Sequence, residues 1–158
     1  MESFQTDAFR IFDQQWALVT AGTAESYNTM TISWGGLGTL WGKPVATIYI
    51  KPVRYTYQFL EQNDYFTVSF YPKEYQKDLS ILGRKSGRDT DKVALTSLTP
   101  KVLEHGVTFE QAQATLVCKK IYWQDLDLRQ IPQEAVAAYY QSEQPHRMYL
   151  GEVVAILR

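Results

Sequence analysis

The sequence predicts a mainly β protein, a β-barrel with helical insertions. Segments rich in β-branched and aromatic residues recur along the chain between glycine, proline, asparagine and aspartate residues, a pattern typical of strands. The segments with helical character are short and do not alternate regularly with the strands, which argues against a parallel α/β sheet. Short connections favour antiparallel pairing. Because the chain of 158 residues contains no repeat or interdomain linker, we predict a single domain over residues 1–158.

Three strands are predicted in the N-terminal third. Trp16–Gly22 is an apolar, β-branched run that ends in glycine. Ser26–Trp34 alternates between an apolar face and a face of threonine and serine hydroxyls, which is typical of a half-buried strand. The glycines of Gly35–Gly42 predict a link, and Pro44–Ile50 is predicted as the third strand.

Two helices and a further strand are predicted next. Pro52 opens a helical segment over residues 53–62, at a position where its missing N–H removes no hydrogen bond. Tyr65–Tyr71 has the composition of a strand. Pro72–Lys85 is predicted as a helix because it has proline at its start and Gly83 near its end.

The C-terminal half is predicted to contain two long strands and one helix. A polar loop, Lys85–Lys92, is followed by short β segments through Phe109. Gln113–Trp123 is predicted as a long strand, Ile131–Gln141 as a short amphipathic helix, and Arg147–Leu157 as the last strand.

Charge and composition exclude several classes of protein. The net charge of -1 does not match the strongly basic surface of a nucleic-acid-binding domain. The single cysteine, Cys118, lies in an apolar run, which favours a buried strand residue over a nucleophile. Neither a signal peptide nor an apolar stretch of membrane-spanning length is recognisable, so we expect no membrane association and a cytoplasmic location.

Most catalytic motifs are missing from the sequence. His105 and His146 are the only histidines, so no histidine-based metal cluster is expected, and no nucleophile-elbow pattern accompanies them. Gly36 and Gly38 resemble the start of a dinucleotide fingerprint, but Trp41 replaces its third glycine. Any redox chemistry must therefore come from a bound organic cofactor.

The first candidate site is a basic helix start formed by Lys51, Arg54 and Thr56. Two cations are unfavourable at the positive end of a helix unless an anion lies between them. Arginine donors, a hydroxyl and free helix N–H groups together suit a phosphate. The alternative is a solvated basic turn in which Arg54 pairs with a carboxylate.

Two further candidates are a loop and a strand face. The loop Arg84–Lys92 offers Ser86, Gly87 and several cations to a phosphate or sugar chain, although most such loops are merely solvated. The hydroxyl face of Asn28–Trp34, flanked by Trp41, suits a planar heteroaromatic ring. The alternative for that face is a solvent-facing strand.

Five segments in order resemble the flavin reductase-like family of FMN-binding split barrels, in particular its flavoredoxin branch. They are Asn28–Gly36, Lys43–Thr56, Ser86–Lys92, Leu116–Trp123 and His146–Ile156. The resemblance implies a homodimer of split β-barrels with one FMN per subunit near the dimer interface.

The resemblance also implies roles for individual residues. Those that line the isoalloxazine ring and ribityl chain are Asn28, Thr29, Thr31, Ser33 and Trp34. Those that hold the phosphate are Lys51, Arg54 and Thr56. Those in the loop near the cofactor tail are Ser86, Gly87 and Lys92, and His146 lies near the nicotinamide side in some members.

Two functions follow from the resemblance. The first is an NAD(P)H-dependent flavin oxidoreductase, in which a reduced nicotinamide passes a hydride to bound FMN and the electrons continue to a second flavin or another acceptor. The second is a flavoredoxin-type electron carrier with no nicotinamide turnover. A third hypothesis is a β-barrel that binds another phosphorylated or heme-like ligand.

Overall fold

The computed structural model describes residues 1–158 and contains nine strands and three α-helices. The strands are β1 (Ala17–Gly22), β2 (Tyr27–Ile32), β3 (Gly35–Leu40), β4 (Lys43–Ile50), β5 (Tyr65–Phe70), β6 (Pro100–Leu103), β7 (Gly106–Phe109), β8 (Ala114–Asp125) and β9 (Arg147–Leu157). The helices are α1 (Tyr55–Gln62), α2 (Gln76–Arg84) and α3 (Gln133–Tyr139). A π-helical turn covers Ile11–Gln15, and 3₁₀ turns cover Lys73–Tyr75, Val93–Leu95 and Leu128–Gln130.

Seven strands form one antiparallel sheet in the order β2-β1-β5-β8-β9-β4-β3. The remaining two, β6 and β7, form a separate hairpin. The mainly β fold with helical insertions and antiparallel pairing is therefore confirmed.

The two edge strands of the sheet, β2 and β3, are neighbours in the chain. Only Ser33 and Trp34 separate them, and such a link spans about 11 Å at full extension. The sheet must therefore curl until its edges meet at this link, which encloses an apolar core between its walls. The two edges do not pair with each other, so the barrel stays open along this side.

The prediction of a link over Gly35–Gly42 is wrong, because Gly35–Leu40 pairs with β4 along its whole length. Trp41 and Gly42 form the tight turn between them, both with positive φ, 53° and 70°, as a two-residue type I′ hairpin requires. Gly35 has a packing reason, because a Cβ at this position would lie 2.7 Å from the Phe12 ring. Tertiary pairing therefore overrides the low strand propensity of glycine.

Helix α1 begins two residues later than predicted. Lys51 and Arg54 close a turn, with the Arg54 N–H donating to the Lys51 carbonyl at 3.0 Å. Arg54 is then the N-cap residue in an extended conformation. Because of this turn, the Lys51 and Arg54 side chains point in different directions.

The helices α1 and α2 both pack beside the edge strand β2. Leu60 of α1 lies in the main core, and Leu79 and Leu82 of α2 lie in a second apolar cluster. The N-terminus of α1 and the C-terminus of α2 thereby meet near the start of β2, where Arg54 bonds to Gly83.

Cys118 is buried in β8, as predicted, and burial raises the pKa of its thiol. None of the helices has the length and apolar character needed to cross a bilayer.

Candidate functional site

A cavity of about 370 Å³ opens where β2, the start of α1, the end of α2 and the loop after α2 meet. We call it the anion pocket because of its charges. Its basic residues are Arg54, Arg84, Lys85, Arg88 and Lys92, and its only acidic residue is Asp89. The chain as a whole carries a net charge of -1, so this clustering of cations is local.

Arg54 is half-buried in the wall of the anion pocket. Its Nη2 donates to the Gly83 carbonyl at 3.2 Å, and it forms no ion pair. A guanidinium has five N–H donors, and no buried side-chain nitrogen or oxygen lacks a partner. The donors of Arg54 that have no protein acceptor are therefore accessible to a ligand. Burial lowers the pKa of the guanidinium.

Lys92 is the second cation, and this residue is only 3 % exposed. Its Nζ donates to the carbonyls of Leu82 at 3.0 Å and Lys85 at 3.2 Å. It too forms no ion pair. Burial, and then the charge of Arg54, lower the pKa of Lys92 to about 8. A buried ammonium without a carboxylate is unusual, and an anion in the pocket would supply the missing charge.

Asn28 joins three segments of the pocket. Its Nδ2 donates to the Thr56 hydroxyl at 2.8 Å, which ties β2 to the start of α1. Its Oδ1 lies against Gly87, where an added Cβ would be only 2.1 Å away. The close approach to Asn28 favours glycine at position 87. Asn28 and Thr56 hold together the segments that carry the cations of the pocket.

The loop after α2 closes the outer side of the pocket. The Ser86 hydroxyl accepts a hydrogen bond from the Arg88 N–H at 3.2 Å, which shapes the turn. The Arg88 guanidinium lies over the Tyr55 ring, 4.9 Å from its centroid. The sequence analysis included Arg88 only as one of the cations of the loop Arg84–Lys92 and did not select Tyr55. Both residues lie within resembling segments, and that was the available signal.

Lys51 does not reach the anion pocket. Its Nζ bonds to the Glu143 carboxylate at 2.6 Å and to the Tyr139 carbonyl at 2.9 Å. Its ammonium also lies 5.4 Å from the centroid of the Tyr140 ring. The turn between Lys51 and Arg54 thus sends the two cations to different sites.

The hydroxyl face of β2 is covered by protein. Thr29 bonds to the Thr20 hydroxyl at 2.8 Å and to the Val19 carbonyl at 3.2 Å. The Thr31 hydroxyl donates to the Leu79 carbonyl of α2 at 2.5 Å. These two hydroxyls are engaged within the protein, and the outer backbone edge of β2 has no strand partner.

A separate aromatic cluster lies at the far end of β2, beyond Ser33. Trp34 is 44 % exposed, and its ring centroid lies 5.0 Å from that of Tyr139 and 5.5 Å from that of His146. His146 is buried, and its Nδ1 lies 2.6 Å from the Tyr140 hydroxyl. Burial, and then the charge of Lys51, lower the pKa of His146 to about 4, so its imidazole is neutral at pH 7.

The profile of the family described as "Flavin reductase like domain" matches residues 9–157. The chain belongs to this flavin reductase-like family. No curated protein matches the sequence significantly.

Solved structures share the fold of this flavin reductase-like chain. An FMN-binding protein from Thermus thermophilus has a TM-score of 0.73 at 21% identity, over 100% of this chain and 80% of that one. A flavoredoxin from Desulfovibrio vulgaris (Miyazaki F) has a TM-score of 0.71 at 20% identity, over 99% and 76%. An NADH:FAD oxidoreductase from Streptomyces globisporus has a TM-score of 0.70 at 18% identity, over 91% and 75%. The predicted split-barrel fold is confirmed.

Proposed function

We propose that this chain is an FMN-binding flavoprotein that passes electrons from NADH or NADPH, through FMN, to a second flavin or another acceptor. The observation that carries the proposal is the anion pocket, where Arg54 and Lys92 lie without a carboxylate partner. Membership of the flavin reductase-like family supports the choice of a flavin among phosphorylated ligands.

The residues of the pocket fit a phosphate monoester. Arg54 has free donors in a planar fork, and Lys92 adds a second positive charge, a combination suited to phosphate oxygens. The glycine at position 87 keeps the loop close to Asn28. A solved relative is an NADH:FAD oxidoreductase. The diphosphate of FAD spreads its two negative charges over two phosphate groups, whereas the terminal phosphate of FMN places both on one group beside two adjacent cations, so we propose FMN.

The chain's own residues bind and orient the ligand. Arg54 and Lys92 would hold the phosphate, and the outer backbone edge of β2, which has no strand partner, leads from Asn28 toward Trp34. Unpaired backbone groups along an edge strand are ready partners for the rim of a planar ring. Bound FMN would supply the redox chemistry, which no side chain here provides.

A second candidate, the flavoredoxin-type electron carrier, is favoured by the state of His146. The residue that the resemblance placed near the nicotinamide is buried and bonded to Tyr140. Two of the similar solved structures are flavoredoxins. An exchange of electrons with protein partners would not require an open nicotinamide cleft.

We also propose a homodimer in the cytoplasm. Five aromatic residues are between 41 % and 66 % exposed: Trp34, Trp41, Tyr122, Trp123 and Tyr139. Exposed aromatic residues in such numbers favour an interface, and a second copy is the partner that the family resemblance implies. The cytoplasm is where reduced nicotinamides would be available to the protein.

Anaerobic stopped-flow reduction separates the two candidate functions. The FMN-loaded protein is mixed with NADH or NADPH, and loss of flavin absorbance is followed. We expect reduction by at least one nucleotide, with modest discrimination, since no dinucleotide fingerprint is present. Reduction by dithionite but by neither nucleotide would assign the chain to the electron carriers.

A further inference from the structure

Lys92 combines features that together make its protonation sensitive to a ligand. Its ammonium is buried in the wall of the anion pocket and is held by two backbone carbonyls, those of Leu82 and Lys85. Only two of its three donors have protein acceptors. Without an anion, nothing but these dipoles offsets its charge.

The groups that face Lys92 come from every segment packed around it. At the start of α1 they are Arg54 and Tyr55, and at the end of α2 they are Arg84 and Lys85. On its own loop they are Arg88, Asp89 and Asp91, and beside the start of β2 they are Glu25 and Tyr27. None of the three carboxylates lies within ion-pairing distance of Lys92. Burial and Arg54 therefore dominate, and they hold the pKa of Lys92 at about 8.

A bound phosphate would reverse this balance. A phosphate monoester has a second pKa of about 6, so it stays a dianion throughout the range in which Lys92 titrates. A nearby dianion favours the charged ammonium and raises its pKa. Binding and protonation at Lys92 are then linked, and each must strengthen the other by the same factor.

We propose that the anion pocket is a proton-coupled phosphate site, in which a phosphate monoester dianion binds the protonated form of Lys92 and binding in mildly alkaline solution draws a proton onto this residue. Where the monoester is FMN, the inference rests on the function proposed above. The site would therefore release its ligand as the pH rises, although the charge of the ligand does not change.

The competing interpretation is that Lys92 only caps α2. Its two carbonyl acceptors belong to the C-terminal turn of that helix, and a cation is favourable there. A capping lysine that does not sense the ligand gives an affinity independent of pH between 7 and 9. The two interpretations therefore differ in a binding measurement.

The test measures FMN binding by titration calorimetry at pH 7 and pH 9, and at pH 8.5 in two buffers of different ionisation enthalpy. We expect the dissociation constant to rise on the order of tenfold from pH 7 to pH 9, and a proton to be taken up in part on binding at pH 8.5. Lys92→Arg keeps the positive charge but replaces the ammonium by a guanidinium that does not titrate in this range. The FMN affinity of this variant should therefore not change with pH, and no proton should be taken up on binding. Lys77→Arg, an exposed lysine on α2, should behave like the parent.

A second measurement keeps the inference separate from the flavin assignment. The pKa of Lys92 is followed by NMR of isotopically labelled lysine, with and without saturating phenyl phosphate. A pKa near 8 that rises on saturation supports the inference even if FMN does not bind, in which case the proposed function fails alone. FMN binding with no proton uptake and no pH dependence would overturn the inference and leave the function standing.

Discussion

Arg54 and Lys92 donate to adjacent carbonyls at the C-terminal end of α2, those of Gly83 at 3.2 Å and Leu82 at 3.0 Å. The partial negative charge of a helix C-terminus stabilises cations, and this accounts for how two like charges are held close together without a carboxylate. Because backbone dipoles position the cations and do not neutralise them, the pocket keeps a net positive charge. An anion is the partner that this arrangement lacks.

Replacing Arg54 by alanine should weaken FMN binding strongly. The change removes a charge-assisted contact worth roughly 1.5–3 kcal/mol, on the order of ten- to a hundred-fold in affinity. Arg54→Lys should recover only part of the loss, because lysine keeps the charge but not the planar fork. Fluorescence titration of FMN measures both variants.

Lys51→Ala is the matched control for Arg54. It removes a cation three residues away that is engaged by Glu143, so its FMN affinity should stay close to that of the parent. If Arg54→Ala binds FMN as the parent does, Arg54 is a solvated turn residue and has no role in the site.

Replacing Gly87 by alanine should also weaken FMN binding, on the order of tenfold, or about 1.4 kcal/mol. The new methyl group would lie 2.1 Å from Asn28 Oδ1, so either the loop that carries Lys92 moves away from β2 or the Asn28 side chain gives up its hydrogen bond to Thr56. Gly38→Ala is the control, since a Cβ there meets nothing within 4 Å. Equal affinity in the two variants would show that the loop position does not matter for binding.

The stability of the protein should fall between pH 6.5 and pH 4 because of His146. Its pKa is lowered to about 4 in the folded state, so the unfolded chain binds more protons in this range and unfolding is favoured as the pH falls. The contribution amounts to about 2 kcal/mol between pH 7.5 and pH 5. Urea denaturation of the parent and of His146→Gln measures it; a parallel pH dependence in both would mean that His146 titrates normally.

The chain should sediment as a dimer at micromolar concentration. Trp41 is 66 % exposed at the tip of the β3–β4 hairpin, and asparagine is well suited to the positive φ of that turn. Trp41→Asn should therefore keep the hairpin but shift the equilibrium toward monomer. Lys77→Ala, at an exposed lysine of α2, is the control, and a parent monomer that retains flavin would contradict the dimer.

The sequence predicted the strands with strong patterns and missed the one without. Arg147–Leu157 was predicted with the observed bounds, because its alternation and β-branched residues are local signals. Gly35–Leu40 was predicted as a link because its glycines carry no strand signal; its pairing with β4 and its contact with Phe12 are tertiary. Local propensity cannot report such partners.

The site was predictable as a set of residues but not in its geometry. The segments that carry Asn28, Arg54 and Lys92 do converge on one pocket. The turn that sends Lys51 toward Glu143, and the packing of α2 over Thr31, depend on where the chain reverses direction. The sequence pattern indicates which residue types are available for a site. The direction of each side chain is known only from the fold.

The most direct test of the central claim is a titration of the purified protein with FMN. The anion pocket predicts saturable binding with one FMN per chain, a released chromophore that runs as FMN on chromatography, and loss of affinity in Arg54→Ala with little change in Lys51→Ala. A colourless protein that fails to bind added FMN would contradict the account.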